Sequence, residues 1–275
     1  MASEEQDWMR AAMAALGGTP KAPSKHTSAY QDKCIERLIA RRMQLEDRVD
    51  LSTQGRVIPE EQQLAIGEGK HFSDLAILFL DICGFSGLPN WTIEEQKTVL
   101  KVLNLFMGEM LSIVRDFDGV FEKNTGDGLM AYFGEGARTP SEAVKPAVEA
   151  AVMMHYVNDT IISILVKKLN AAPIKFRVGI DSGPITIARV AIHGGSHGGI
   201  VAVGTTANVA CKLMKHLPDG GICVGEKAYQ ALPNGWEKSC VRVSEPSGFV
   251  YIADQRPYPA WRLDYRAPWI PIQSK

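Results

Sequence analysis

The run LAILFL at Leu75–Leu80, followed at once by Asp81, constrains the fold of this chain more than any other stretch. Apolar residues without polar alternation belong to a strand covered on both faces, in the middle of a sheet. The acid that ends the run needs its own account. An ionised carboxylate is costly to bury unless it sits at the strand's edge or is neutralised by a cation.

The stretches around this strand suggest how the sheet is built. Thr92 and Glu95 have capping-box spacing and open a helix whose apolar side runs from Val99 to Phe117. DFDGVFEK and LMAYFG flank a glycine-rich turn as two short strands, and a long helix is expected from about Pro140 to Asn170. KFRVGIDSG and PITIARVAI then read as two strands, followed by the loop HGGSHGG and a short strand into the helix TTANVACKLMKHL. GGICVG, a short helix at Glu226–Leu232 and late strands near Trp236–Val243 and Phe249–Ala253 complete the order. β-α-β-β-α-β predicts an α+β fold, a ferredoxin-like split βαβ (palm-like) sheet with helices on one face. The order does not alternate strictly enough for a doubly wound sheet, and GxGxxG and Walker lysine motifs are absent.

Residues 1–70 read as a helical extension, with a helix over about Thr27–Val49 and a narrow apolar stripe of Tyr30, Cys34, Leu38 and Ile39. That stripe suits either a partner helix or packing on the parent domain. The compact domain is placed at 71–255, and 256–275 is read as a tail in which Trp261 and Trp269 strap the domain or a dimer.

Composition removes several function classes. Thirty basic and 31 acidic side chains leave a net charge of -1, against a broad nucleic-acid surface, and no nucleic-acid partner is expected. MASEEQDWMR is acidic where a signal peptide is basic and then apolar, and LAILFL is too short to span a bilayer. Five cysteines without a CxxC pair read as reduced thiols. The expectation is a cytoplasmic protein with no membrane contact.

Two carboxylates could carry chemistry. Taken singly, Asp127 in KNTGDGLMAYFG is ordinary Gly-Asp-Gly turn chemistry, and Asp81 is a strand-end cap. Neighbouring strands of a split βαβ sheet would bring them together as an oxygen-only site, suited to Mg²⁺ or Mn²⁺ and to phosphoryl transfer. DICGFSG turns through Gly84, so Phe85 and Ser86 can aim backbone N–H groups at phosphate. Of the histidines near this site, His193, His197 and His216 read as Gly-rich loop or surface residues.

LFLDICGFSG, EKNTGDGLMAYFG, FRVGIDSGPI and VGTTANVACKLM, in that order, resemble the class III nucleotidyl cyclases, the adenylyl and guanylyl cyclase family. The resemblance covers roughly Ser73 to Leu232. It implies a nucleoside triphosphate substrate, a 3′,5′-cyclic mononucleotide and pyrophosphate as products, and two divalent cations, Mg²⁺ or Mn²⁺. Asp81, Asp127 and the Ile82 carbonyl would hold the cations, Asn208 would orient the ribose, and Lys212 falls where the family usually has a transition-state arginine. Arg177 is implied as a triphosphate contact. The resemblance also implies a homodimer with shared sites, the second protomer supplying Lys123, Asn208 and Lys212.

Lys123 matches the base-reading lysine of adenylyl cyclases. Their second base-reading residue, usually Asp or Thr, lies seven before the asparagine, where this chain has Val201. Lysine only donates, so it suits an acceptor such as uracil O4, guanine O6 or adenine N1. Val201 cannot accept from an exocyclic amine, and a buried amine without a partner costs about 1–3 kcal/mol. Thr205, Thr206 or a residue of HGGSHGG offers another acceptor. The resulting order of substrates is UTP, then CTP, then ATP, and the short chain resembles the pyrimidine cyclases of bacterial Pycsar anti-phage systems. Lysine at 212 lacks the planar fork of guanidinium, which leaves a cyclase-fold nucleotide sensor as the reading from another class.

Overall fold

The computed structural model describes residues 28–48, 69–88, 91–124, 126–191 and 198–265. Within them lie α1 (Ser28–Arg48), β1 (Gly69–Ile82), a 3-10 turn (Phe85–Gly87), α2 (Ile93–Asp116), β2 (Val120–Asn124) and β3 (Gly128–Phe133). Next come α3 (Pro140–Val157), a π turn (Asn158–Ile162), α4 (Ser163–Lys168), β4 (Phe176–Ala191), β5 (Gly198–Val203) and α5 (Thr205–Leu213). After a 3-10 turn at Met214–His216, β6 (Gly221–Gly225), α6 (Glu226–Gln230), β7 (Cys240–Arg242) and β8 (Ala260–Leu263) complete the chain.

The eight strands form one sheet in the order β2-β3-β1-β4-β6-β8-β7, with β5 paired to the far part of β4. β1 lies between β3 and β4, antiparallel to both. Ala76, Leu78 and Leu80 face a core shared with α2 and α3, while Leu75 and Ile77 face a second cluster with Ile185, Ile187 and Ala210. All five are buried, so the unbroken apolar run reflects a strand covered on both sides. The second cover includes a helix, which corrects the expectation of helices on one face. α5 crosses the sheet so closely that a Cβ on Gly179 would lie 2.0 Å from the Ala210 carbonyl oxygen.

The capping box at the start of α2 forms: Glu95 N–H donates to Thr92 Oγ1 at 3.2 Å, and Thr92 N–H to Glu95 Oε2 at 2.9 Å. α1 packs on the parent domain, resolving the two readings of its stripe. Cys34, Ile35, Leu38 and Ile39 are buried, and Arg37 pairs with fully buried Glu109 at 2.6 Å and with Asp116 at 2.5 Å.

Three elements differ from the sequence reading. The two strands expected around Pro184 are one strand, β4, because Pro184 falls opposite the register shift between Phe72 and Leu75, where no ladder N–H is required. The helix expected from Pro140 to Asn170 includes a π turn. Phe249–Ala253 is a turn with a single bridge between Val250 and Pro257, and the strand comes from the tail instead. β8 lies between β6 and β7, pairing Ile222 with Leu263 and Cys240 with Leu263. Trp269 and the HGGSHGG residues 192–197 lie outside the described residues.

Candidate active site

The register of β1 decides which side chains meet at its C-terminal end. Asp81 is the Cα partner of Gly128 on β3 and of Arg177 on β4. One step further, the Ile82 N–H donates to the Asp127 carbonyl at 3.2 Å. The β2–β3 hairpin thus delivers Asp127 beside the end of β1, through a turn in which Gly126 has φ 96°, a conformation that favours glycine. Asp81, Ile82 and Asp127 come together as the sequence reading expects.

Arg177 joins them. Its Nε and Nη2 donate to a single Asp81 oxygen, Oδ2, at 2.8 and 2.6 Å. The guanidinium here is the counter-ion of the strand-end acid. This contact answers how Asp81 is tolerated at the end of an apolar strand: it is paired and about one-fifth exposed.

Two thiols border the pair. Burial pushes the Cys83 and Cys211 thiols up, and the Arg177 and Asp81 charges act on both in opposite directions. Cys211 lies on α5, so that helix passes near Asp81 of its own chain. Asn208 and Lys212 lie on the exposed part of α5, and the Lys212 ammonium sits 5.0 Å from the centre of the Phe249 ring. Among the described residues no hydrogen bond or ion pair joins them to Asp81 or Asp127. Val201, in β5, is half-buried opposite Ala188.

Gly84 has φ 70° and turns the chain into the 3-10 segment, where Gly87 N–H bonds the Gly84 carbonyl and Leu88 N–H that of Phe85. Phe85 packs against the main core. The side chains of Ser86 and Lys123 lie outside the described residues, although the backbone of Lys123 pairs with Met130. His216 is buried, not at the surface, and burial pulls its imidazole down from the ordinary range.

Sequence reasoning passed over Phe249, for which no local signal exists, and over Asp181 in GIDSG. The Asp181 carboxyl is buried, accepts from the Tyr258 hydroxyl at 3.0 Å on both oxygens, and is pushed up to about 7, chiefly by burial. A lone acid in the middle of β4, a strand with no other carboxylate, was the available clue.

A metal fits the donor set at the end of β1. Among the described residues no three His, Cys, Asp or Glu side chains cluster as a complete cage. Two carboxylates and a carbonyl form a partial, hard-oxygen set of the kind Mg²⁺ completes with water and substrate phosphate. Arg177 already occupies one carboxylate oxygen as a stand-in cation.

The chain is similar to known proteins in sequence and in fold. The family model "Adenylate and Guanylate cyclase catalytic domain" matches residues 68–248. A cytidylate cyclase from Staphylococcus aureus is 26% identical over 175 residues, 62% of this chain and 40% of that protein. A uridylate cyclase from Gulbenkiania mobilis is 26% identical over 182 residues, 63% of this chain and 69% of that protein. The chain therefore spans less than half of the first relative. The adenylyl cyclase CyaB from P. aeruginosa shares the fold, with a TM-score of 0.58 at 20% identity over 72% of this chain and 96% of that one.

Proposed function

The chain belongs to the adenylate and guanylate cyclase catalytic domain family, and from that premise we propose that it converts a pyrimidine nucleoside triphosphate into a 3′,5′-cyclic mononucleotide and pyrophosphate. The observation that carries the reading is the meeting of Asp81 and Asp127 at the end of β1, with a cation already held on Asp81. Asp81, Asp127 and the Ile82 carbonyl would hold two divalent ions. Such ions, when bound, favour the ionised 3′-hydroxyl and offset the charge of the triphosphate.

The chain's own side chains would do the rest. The 3′-oxygen attacks the α-phosphorus, the bond to the bridging oxygen breaks, pyrophosphate leaves, and the hydroxyl proton passes to solvent. Asn208 orients the ribose so that this oxygen is in line. Lys212 offsets charge on the α-phosphate in the transition state. Arg177 exchanges Asp81 for the β- and γ-phosphates. Lys123 donates to an acceptor on the base, and Val201 leaves an exocyclic amine without a partner, favouring UTP over CTP and both over ATP. The names of the two curated relatives, a cytidylate and a uridylate cyclase, support a pyrimidine.

Within one chain no hydrogen bond or ion pair among the described residues joins Asn208 or Lys212 to Asp81, and in the homodimer of this reading the partner supplies them together with Lys123. The product would serve as a second messenger in anti-phage defence. Among the described residues no helix is long and apolar enough to cross a membrane.

The test is incubation with ATP, GTP, CTP or UTP and Mn²⁺, with products identified by mass. Cyclic UMP, with less cyclic CMP, is expected. Cyclic AMP as the main product would sink the argument from Val201. Binding without any cyclic product would replace the enzyme by a nucleotide sensor.

A further inference from the structure

Toward the other end of β1 from Asp81, the start of α3, the middle of β4 and α6 enclose a cavity of about 390 Å³. Small-molecule sites run from ~300 to ~1,000 Å³. The seven residues from Asp74 to Asp81 span about 23 Å of extended strand, so this cavity lies well away from the candidate active site.

Two charges of opposite sign line it, Asp74 and Lys227. Among the described residues neither side chain has an ion pair or a hydrogen bond, although the Lys227 charge acts on the buried Asp181 carboxyl. Gly183 makes room for the lysine. Its φ is 148°, and a Cβ at this position would lie 3.2 Å from Lys227 Nζ.

Ser182 lines the cavity from β4. Its ladder partner is Ala76, which faces the core shared with α2 and α3, so Ser182 points to the side of the sheet that α3 covers. The residue is only 3% exposed. Its hydroxyl makes no hydrogen bond among the described residues, and it is not sealed inside the protein, so it opens into the cavity. Buried polar groups are as a rule satisfied, and this one calls for a partner from the cavity itself.

The first turn of α3 adds donors. Pro140 has no N–H, and the Glu142 N–H donates to Thr139 Oγ1 at 3.3 Å, which leaves the Ser141 N–H without a partner inside the helix. α3 is 18 residues long, and its N-terminus favours negative charge. The Glu142 carboxylate is engaged by the Arg138 N–H at 2.8 Å and is not part of the lining.

These groups divide by chemistry. Lys227, Ser141 and the helix end suit an anion with several oxygens. Asp74, Ser182 and the Gln230 carboxamide suit hydroxyl groups, which both donate and accept. Among the described residues no aromatic ring lines the cavity, so nothing there stacks on a nucleobase. We propose that this cavity is a second binding site whose ligand is a phosphorylated sugar, with its phosphate on Lys227 and the first turn of α3 and its hydroxyls on Asp74 and Ser182. The site does not depend on the cyclase reading.

Isothermal titration calorimetry of the full chain in EDTA tests it, with ribose 5-phosphate, ribose and inorganic phosphate as probes. EDTA withholds the metal that phosphate binding at Asp81 would use. Ribose 5-phosphate should bind at one site per chain, and ribose or phosphate alone about tenfold or more weakly. Lys227→Met should weaken ribose 5-phosphate about tenfold and Ser182→Ala about fivefold, as for a charge-assisted and a neutral hydrogen bond. Lys227 is exposed, so its variant keeps the fold and carries the test should Ser182→Ala not fold. No saturable heat from millimolar ribose 5-phosphate overturns the proposal. Equal affinity for inorganic phosphate overturns it as well, since the sugar then contributes nothing. So does unchanged affinity in Lys227→Met, which would put the ligand elsewhere. The readout is heat of binding and not turnover, so failure of this site and failure of the cyclase reading are told apart.

Discussion

Replacing Arg177 by Ala should make the end of β1 a better metal site while making the protein a worse cyclase. Two N–H groups on one carboxylate oxygen, at 2.8 and 2.6 Å, form a charge-assisted contact. Such contacts contribute about 1.5–3 kcal/mol when well buried. The Asp81 and Arg177 side chains are 21% and 32% exposed, so solvent screening brings the figure to about 1 kcal/mol. A divalent ion that takes Asp81 must displace this contact. Its removal should therefore tighten the apparent Mn²⁺ affinity of the nucleotide-free protein about fivefold. Titration followed by the electron paramagnetic resonance signal of free Mn²⁺ reads that number. In the same variant kcat/KM for the nucleotide should fall, because a cation facing the triphosphate has gone. Arg177→Lys, a point charge without the fork, should lie between the two. Unchanged or weaker Mn²⁺ binding in Arg177→Ala would refute the competition between guanidinium and metal.

Further outcomes follow from other contacts. Asp127→Ala should abolish turnover and leave the thermal midpoint near that of the parent, since the side chain lies at a hairpin tip; retained turnover removes it from the metal set. Arg37→Met removes the guanidinium from the fully buried Glu109 carboxylate and from Asp116 and should cost about 3–5 kcal/mol in urea unfolding, whereas an unchanged midpoint would show that α1 is not held by this contact. Asp181 is pushed up to about 7 from an ordinary value near 4, so the fold prefers the protonated acid. Its contribution is therefore intact near pH 4 and is lost as pH rises through 7. Asp181→Asn should flatten this decline and gain on the order of 4 kcal/mol at pH 8 while changing little at pH 4; parallel pH profiles for the two proteins would refute it.

Local signals carried much of the fold. The capping box at Thr92 and Glu95 needs only four residues to form, and α2 begins where that spacing puts it. Gly126 before Asp127 marks a left-handed turn that few other residues accept. The run ending at Asp81 announces a strand covered on both faces, whatever does the covering. Non-local pairing was much less legible. Nothing in WRLD tells a strand from a tail, because β8 is defined by Ile222, Cys223 and Val224, nearly forty residues earlier in the chain. Pro184 reads as a strand break, and only the register shift in β1 opposite it lets β4 continue.

The sequence by itself determined which acids, glycines and helix caps the chain has, and hence that an oxygen-rich site at a strand end was available. The tertiary structure decided which groups share that end. Asp81 meets Arg177 because β1 and β4 pair in one particular register; a slip of one residue would turn every side chain to the opposite face. The same pairing makes Arg177 a counter-ion before any phosphate is present, and packs α5 against the second face of the sheet with Lys212 over Phe249. Residue types and short spacings are properties of the chain, but the partner of a charge is a property of the register, and the register is set by the burial of both faces at once.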